Sequence, residues 1–405
     1  MSRAAGVSAA PAAGKRCILT LNGGSATIKF ALYEDSAPPQ RRLHGLLDRV
    51  GSSGTTLSFE RSDSSGAPST LTLPGSRSPI DFLINWFEQE LDLGALCAIG
   101  HRLVHGMHFA APLLINDEVL AELRRISALD PEHLPREIEL IERCAERLKQ
   151  PQVACFDTSF HRAMPRVAKL LSVPRRYQTA DVQRYGFHGL SCAYLIEELG
   201  RIGDPAASEG RVILAHLGSG ASMTAVRDGC SIETSMGFTP ASGLPMSTRC
   251  GDLDPGLVSY LMRAWSLTVA QFERLTNHES GLLGVSETSG DVRDLLEREG
   301  SDVRAAEAIE LFCYQSRKWI GALAAALGGV DVLVFAGGVG EHGAEIRARI
   351  CTELDFLGIR LDRDSNARNA ALISHRDARV RVRVMHTDEE LMIVRSVQRL
   401  LSQRA

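Results

Sequence analysis

Regular patterning begins at Cys17. From Cys17 to Tyr33 (CILTLNGGSATIKFALY) an apolar run meets a Gly-Gly turn, after which Ile28 and Phe30 alternate with Thr27 and Lys29. A period of two on both sides of a glycine turn predicts strand, tight turn and strand. Residues 55–73 repeat this pattern more weakly around a Ser/Gly/Pro tip at Ser62 to Pro68. Ser78-Pro79 then offers an N-cap and a first helical position, followed by an apolar stripe of Ile80, Leu83, Ile84, Phe87 and Leu91. Later strand-like runs (VACFD, RVILAHLG, DVLVFAGG, RVRVMH) alternate with helical stretches, which predicts α/β layers. The final helix is expected to open on a capping box, Thr387 with Glu390, and to carry Leu391, Val394, Val397 and Leu401 on one side.

Two longer patterns refine this picture. Trp319 to Gly340 is almost wholly apolar, with Asp331 its only charge. Gly328-Gly329 divides it into an Ala/Leu-rich half and a β-branched half, so a helix, a glycine cap and a buried strand are expected rather than a membrane span. The segments beginning at Ile18 and Ile213 overlay without a gap, matching Gly23 to Gly218, Ala26 to Ala221 and Thr27 to Ser222. Two matched hairpins, one in each half, point to duplicated domains facing a common cleft.

The 405 residues are 44% hydrophobic and 23% charged, ordinary globular usage, with a net charge of -4 that disfavours a general binder of nucleic acid or anionic membranes. Nine cysteines without a C-x-x-C pair fit reduced thiols in a cytoplasmic enzyme. Residues 1–16 are small and Ala-rich without an apolar core, and are expected to be a disordered tail rather than a secretory signal.

Glycine turns let backbone N–H groups approach phosphate oxygens, and Asn22 to Ser25 and Leu217 to Gly220 both have this composition. Ser25 and Thr27 add hydroxyls and Lys29 adds charge. A third cluster, Ala336 to Glu341, follows a buried strand and precedes a helix-like run, the arrangement that receives a nucleotide. Neither hairpin fits a P-loop or Rossmann fingerprint. Isolated charges stand in apolar surroundings at Arg102, Asp157, His188 and Arg249. Each alone is more often a satisfied structural group; four at strand ends and glycine turns carry more weight. Glu389 falls in the first turn of the last helix, where Asp388 and Glu390 serve the helix dipole equally well. His101 and His105 lack the glutamate of a zinc-binding H-E-x-x-H, so zinc is not expected there, and His105 is read as structural.

In order along the chain, LNGGSATIKF, IGHRLVHG, FDTSFHRAMP, RYGFHGLS, AHLGSGAS, TSMGFTPASGLPMSTRCGDLDP, SGDVRD, FAGGVGE and TDEELMIVR resemble the acetate kinase family of the acetate and sugar kinase/heat-shock/actin superfamily. The resemblance implies two actin-like (ribonuclease H-like) α/β domains around a nucleotide cleft. It places a first domain at 17–160 with 391–405 and a nucleotide-binding domain at 161–390. It implies reversible transfer of the γ-phosphoryl group of ATP to acetate, with propionate or butyrate as alternative acceptors and a non-catalytic nucleotide binder as the distant alternative. Asn22 and Glu389 resemble the pair linked to magnesium or manganese, and Lys29 a nucleotide-site lysine. Arg102 and Arg249 resemble the carboxylate- and phosphoryl-binding arginines, His188 the transition-state stabiliser and Asp157 the central acid. His216, Leu217, Gly218, Ser219 and Gly220 resemble one ATP-binding segment. Asp291, Val292 and Arg293 resemble a second, and Gly338, Val339, Gly340, Glu341 and His342 a third. Val104, Phe187 and Pro240, joined by Leu129, resemble the pocket for the acceptor's methyl group. A homodimer with ATP and a short carboxylate as its small-molecule partners is expected. Ala26, Cys192, Ser219 and His342 depart from the family's usual Ser, His, Asn and Asn, and ALDPEH replaces PLHNP around Leu129.

Overall fold

A computed structural model describes residues 15–24, 27–50, 54–62, 68–73, 78–178 and 181–403. The N-terminal tail up to residue 14, Ser25, Ala26 and most of the 62–68 tip lie outside the described residues. The chain divides into two compact units, Met1–Ser159 with Glu389–Ala405, and Phe160–Asp388.

The first unit is built on eight strands: β1 (Cys17–Gly23), β2 (Thr27–Glu34), β3 (Gln40–Asp48), β4 (Thr56–Arg61), β5 (Ser69–Thr72), β6 (Leu96–Leu103), β7 (Leu113–Leu114) and β8 (Gln152–Phe156). They lie in the order β5-β4-β3-β2-β1-β6-β8-β7. β1 runs antiparallel to β2 and parallel to β6, and β6 runs parallel to β8. Alternation along β1 sends Leu19 and Leu21 into a core with Phe30, Leu43 and Leu57. The helix Pro79–Glu90 caps that core with Ile80, Leu83, Ile84, Trp86 and Phe87, and Ser78 Oγ accepts from the Asp81 backbone N–H at 3.3 Å. The helix Leu134–Arg147 adds Leu140 and Cys144.

The opposite face of β1 and β6 carries the C-terminal helix Glu389–Ser402. Contact is close because Gly100 has no side chain: a Cβ there would stand 2.4 Å from Ile393 Cγ2 and 2.9 Å from Val397 Cγ2. This docking refines the expected stripe, of which Val394 and Val397 are buried. The buried residues are Met392, Ile393, Val394, Ser396 and Val397, with Leu391 and Leu401 only half-buried. The helix also opens at Glu389, and the Glu390 carboxylate accepts from the side chain of Asn22 at 3.2 Å.

The second unit holds β9 (Arg211–Leu217), β10 (Ala221–Arg227), β11 (Cys230–Thr234), β12 (Val332–Ala336) and β13 (Arg381–Val384), in the order β11-β10-β9-β12-β13. β9 is antiparallel to β10 and parallel to β12, and β12 is parallel to β13. The order and directions repeat those of β3-β2-β1-β6-β8, so the overlaid hairpins at Ile18 and Ile213 are equivalent pieces of two like sheets. The helix Gly189–Arg201 packs Cys192, Leu195 and Leu199 on Val212, Leu214 and Val334. The long helix Val303–Leu327 ends where Gly328 adopts φ 72° and caps it, and β12 follows with all five residues buried. Among the described residues, no helix is long and apolar enough to cross a membrane.

Candidate active site

Three elements of the first unit converge at the end of β1. Asn22, paired with Lys29 across the β1–β2 ladder, donates through Nδ2 to Glu389 Oε2 at 2.9 Å. On the neighbouring β6, Arg102 reaches the same end: Nη1 donates to the Gly23 carbonyl at 3.0 Å. Its Nε and Nη2 donate to Asp157 Oδ2 at 3.1 and 2.5 Å. Asp157 follows β8 directly and is fully buried. Burial opposes the charge on Arg102, but Asp157 and Glu389 more than offset it and raise the guanidinium above its ordinary value. Val104 is buried one residue beyond β6, and Leu129 is half-buried in the turn Ser127–Leu129.

In the second unit, the turn Gly186–His188 is held from below. Gly186 has φ 76°, and a Cβ there would lie 2.7 Å from the His161 ring. His161 Nε2 donates to the carbonyl of buried Phe187 at 2.9 Å, so Nδ1 accepts from the Ser231 hydroxyl at 3.0 Å. Burial pushes the His161 pKa down to about 4, which keeps the ring neutral and this tautomer in place. His188 adopts φ 57°, lies 2.9 Å from Ser222 Oγ through Nδ1, and has its ring centroid 4.5 Å from that of His216.

The glycine segments meet around these rings. A Cβ on Gly220 would stand 3.3 Å from His188 Nε2 and 3.8 Å from Arg249 Nη1. Arg249 Nη1 donates to the carbonyl of half-buried Pro240 at 3.3 Å. The Ser247 N–H donates to the Ser219 carbonyl at 3.1 Å, and a Cβ on Gly290 would stand 2.8 Å from the Ser247 carbonyl oxygen. A Cβ on Gly218 would come within 3.9 Å of the Gly338 nitrogen, and one on Gly337 within 2.7 Å of the Leu217 carbonyl oxygen. His216, Gly218, Ser219, Gly220, Arg249 and Gly338 therefore form one neighbourhood, reached from another side by the loop before Asp291. Asp291 caps the helix Val292–Arg298 and pairs with Arg293 at 2.6 Å. The third cluster is not a loop: Gly337–His342 is a helical turn, with Val339 inside it, and Glu341 accepts from the Gly337 N–H at 3.1 Å. Cys192 is buried in the core beneath the helix that His188 begins.

The Asn22 amide and the Glu389 carboxylate are neighbours, and with the amide turned to present Oδ1 in place of Nδ2 they would offer magnesium two hard oxygen donors. No group of three or more His, Cys, Asp or Glu that could hold a metal occurs among the described residues. Magnesium commonly takes one or two protein oxygens and completes its shell with water and substrate phosphates, so the pair fits that mode.

The sequence reading missed His161, Ser222 and Glu137, which orient the turn of His188, its ring, and the end of β6. Glu137 carried a legible signal: it falls in the apolar stripe of Leu134, Ile138 and Ile141, where an acid is out of place.

Twin α/β sheets, each bringing a glycine turn and an arginine to the end of its first strand, are the plan of an actin-like phosphotransferase. The profile of the acetokinase family matches residues 17–395. The chain is 46% identical over 391 residues to the acetate kinase of Rhodopseudomonas palustris, covering 95% of this chain and 98% of that one. It superposes on the crystal structure of Porphyromonas gingivalis acetate kinase with a TM-score of 0.86 at 34% identity, covering 95% of this chain and 100% of the other. For a propionate kinase from Francisella tularensis the TM-score is 0.87 at 34% identity, covering 94% and 98%. The chain belongs to the acetokinase family, kinases whose phosphoryl acceptor is a carboxylate.

Proposed function

We propose that this chain catalyses reversible transfer of the γ-phosphoryl group between ATP and acetate, giving acetyl phosphate and ADP by direct attack of the carboxylate on phosphorus. The observation that carries this reading is the Arg102–Asp157 pair at the end of β1: a buried carboxylate fixes the guanidinium, whose fork suits a planar carboxylate. Acetate is ionised at neutral pH, as Asp and Glu are, so the attack needs no general base. Asp157, already engaged by Arg102, orients that arginine rather than taking a proton. The barrier is the approach of two anions, which Arg102, Arg249 and His188 lower by facing the charge that develops on the phosphoryl oxygens. Asn22 and Glu389 would hold magnesium, which when bound neutralises phosphate oxygens. The glycine segments at 216–220 and 337–342, with Asp291 to Arg293 and Lys29, would hold the nucleotide.

Val104, Phe187 and Pro240 would enclose the acceptor's methyl group. An added methylene changes such a contact by about 1–3 kcal/mol, so acetate is expected to exceed propionate in kcat/KM by roughly tenfold. A coupled assay over acetate, propionate and butyrate, with magnesium and with excess chelator, checks this. Propionate turning over as well as acetate would reassign the acceptor, and undiminished activity in chelator would remove the metal.

A cytoplasmic location is proposed, which the composition of nine cysteines without a C-x-x-C pair favours. A homodimer is proposed from the helices Pro255–Ala264 and Val269–His278. Neither buries a residue, and Tyr260, Trp265 and Val269 are 56%, 62% and 64% exposed. Sedimentation should give twice the chain mass; a monomer at micromolar concentration would refute it.

A further inference from the structure

Glu137 is 4% exposed, yet its neighbours make it part of a working surface rather than of the core alone. Both carboxyl oxygens face the backbone nitrogen of Val104, at 3.3 and 3.2 Å. Its Cγ lies 3.6 Å from where a Cβ on Gly23 would stand. One side chain thus supports the ends of both β1 and β6, whose carbonyl at Gly23 and guanidinium at Arg102 are hydrogen-bonded to each other at 3.0 Å.

We propose that Glu137 is a positioning residue for the acceptor: by fixing the Val104 backbone it sets the distance between the Val104 side chain and the Arg102 guanidinium. This rests on the carboxylate-kinase reading, in which the first meets the methyl group and the second the carboxylate. Removing the acceptor for the Val104 N–H would let the strand end relax and blur that spacing.

The charges around Glu137 add a second consequence. Arg102 faces it from β6, Asp157 from the segment after β8, and Asp130 from the turn before its own helix, with His105 and His133 acting on Asp130 in turn. Burial raises the Glu137 pKa; Arg102 opposes this and Asp130 and Asp157 add to it, leaving it pushed up to about 8. At neutral pH the carboxyl is therefore neutral and adds no repulsion toward an incoming anion. Above pH 8 it ionises beside the acceptor, so KM for acetate rises while KM for ATP stays level. The same shift means that the folded protein holds this proton between about pH 4.5 and 8 while the unfolded chain releases it, so this group's contribution to stability falls across that window as pH rises.

The test uses the full chain and two variants, with KM and kcat for acetate and ATP measured on either side of pH 8. Glu137→Met keeps the volume and removes the acceptor; it is expected to raise KM for acetate at least tenfold and change KM for ATP less than twofold. Glu137→Gln keeps a carbonyl for Val104 and cannot ionise; it is expected to stay within threefold of the parent at neutral pH and to lose the alkaline rise. A Met variant with the parent's KM for acetate, or a Gln variant as impaired as Met, overturns the proposal. Should the Met variant not fold, the Gln variant decides alone, and retention of the alkaline rise overturns it. A parent that turns over acetate while the variants behave as it does sinks only the role of Glu137. A parent inactive on every short acid sinks the kinase reading. In that case thermal melts across the same pH window still decide the Glu137 clamp, because only the parent should lose stability there relative to Glu137→Gln.

Discussion

Arg249→Ala should lower kcat by roughly 10³-fold and leave the fold standing. Arg249 lies in the loop between β11 and the helix Pro255–Ala264, where its Nη1 donates to a neutral carbonyl and sits beside Gly220 and His188. Half-buried, it donates to the Pro240 carbonyl and the Met246 sulfur, neutral acceptors whose loss costs about 1 kcal/mol each. In the proposed reaction it would face charge that grows only as the phosphoryl group moves, so its loss should be felt in turnover more than in binding. Arg249→Lys should recover a minor part, because an ammonium supplies charge without the planar fork. Steady-state kinetics with a thermal melt separates the two effects. Turnover near that of the parent would remove Arg249 from the mechanism.

Arg102→Ala should behave differently and lose both activity and stability. Its partner Asp157 is wholly buried, and Arg102 itself is 14% exposed. Truncating one side of such a pair strands a carboxylate away from water, a cost of about 3–5 kcal/mol. Turnover with acetate should fall by roughly 10²–10³-fold as the acceptor loses its clamp. The double variant Arg102→Ala/Asp157→Ala strands no buried carboxylate at position 157, though the Gly23 carbonyl still loses its donor, and so should regain much of the stability and none of the activity. Denaturant unfolding of the three proteins reads this directly. A double variant no more stable than the single one would show that the pair is not the unit described above.

The contrast between these arginines also marks what the sequence could convey. The hairpin at Asn22, the matched hairpin at Leu217 and the break at Gly328 were legible because each is set locally, by alternation on both sides of glycine or by a glycine that ends a helix. Arg102 and Asp157 were both visible as charges in apolar strings. Their union was not, since the partners are 55 residues apart and meet only because β6 and β8 are neighbours. The docking face of the last helix was only partly legible for a related reason. Apolar residues occur on more than one side of it, and the choice is made by Gly100, a bare spot on a distant strand that admits Ile393 and Val397. His161 was hidden inside a familiar string, because its role depends on a carbonyl 26 residues away.

The defining event is transfer of the phosphoryl group of ATP to an acid's carboxylate. Purified protein with ATP, magnesium, acetate and neutral hydroxylamine should yield acetohydroxamate in step with ADP, and neither product when acetate is left out. ADP released without hydroxamate would mean that water, not the carboxylate, receives the phosphoryl group, and would contradict the proposed transfer.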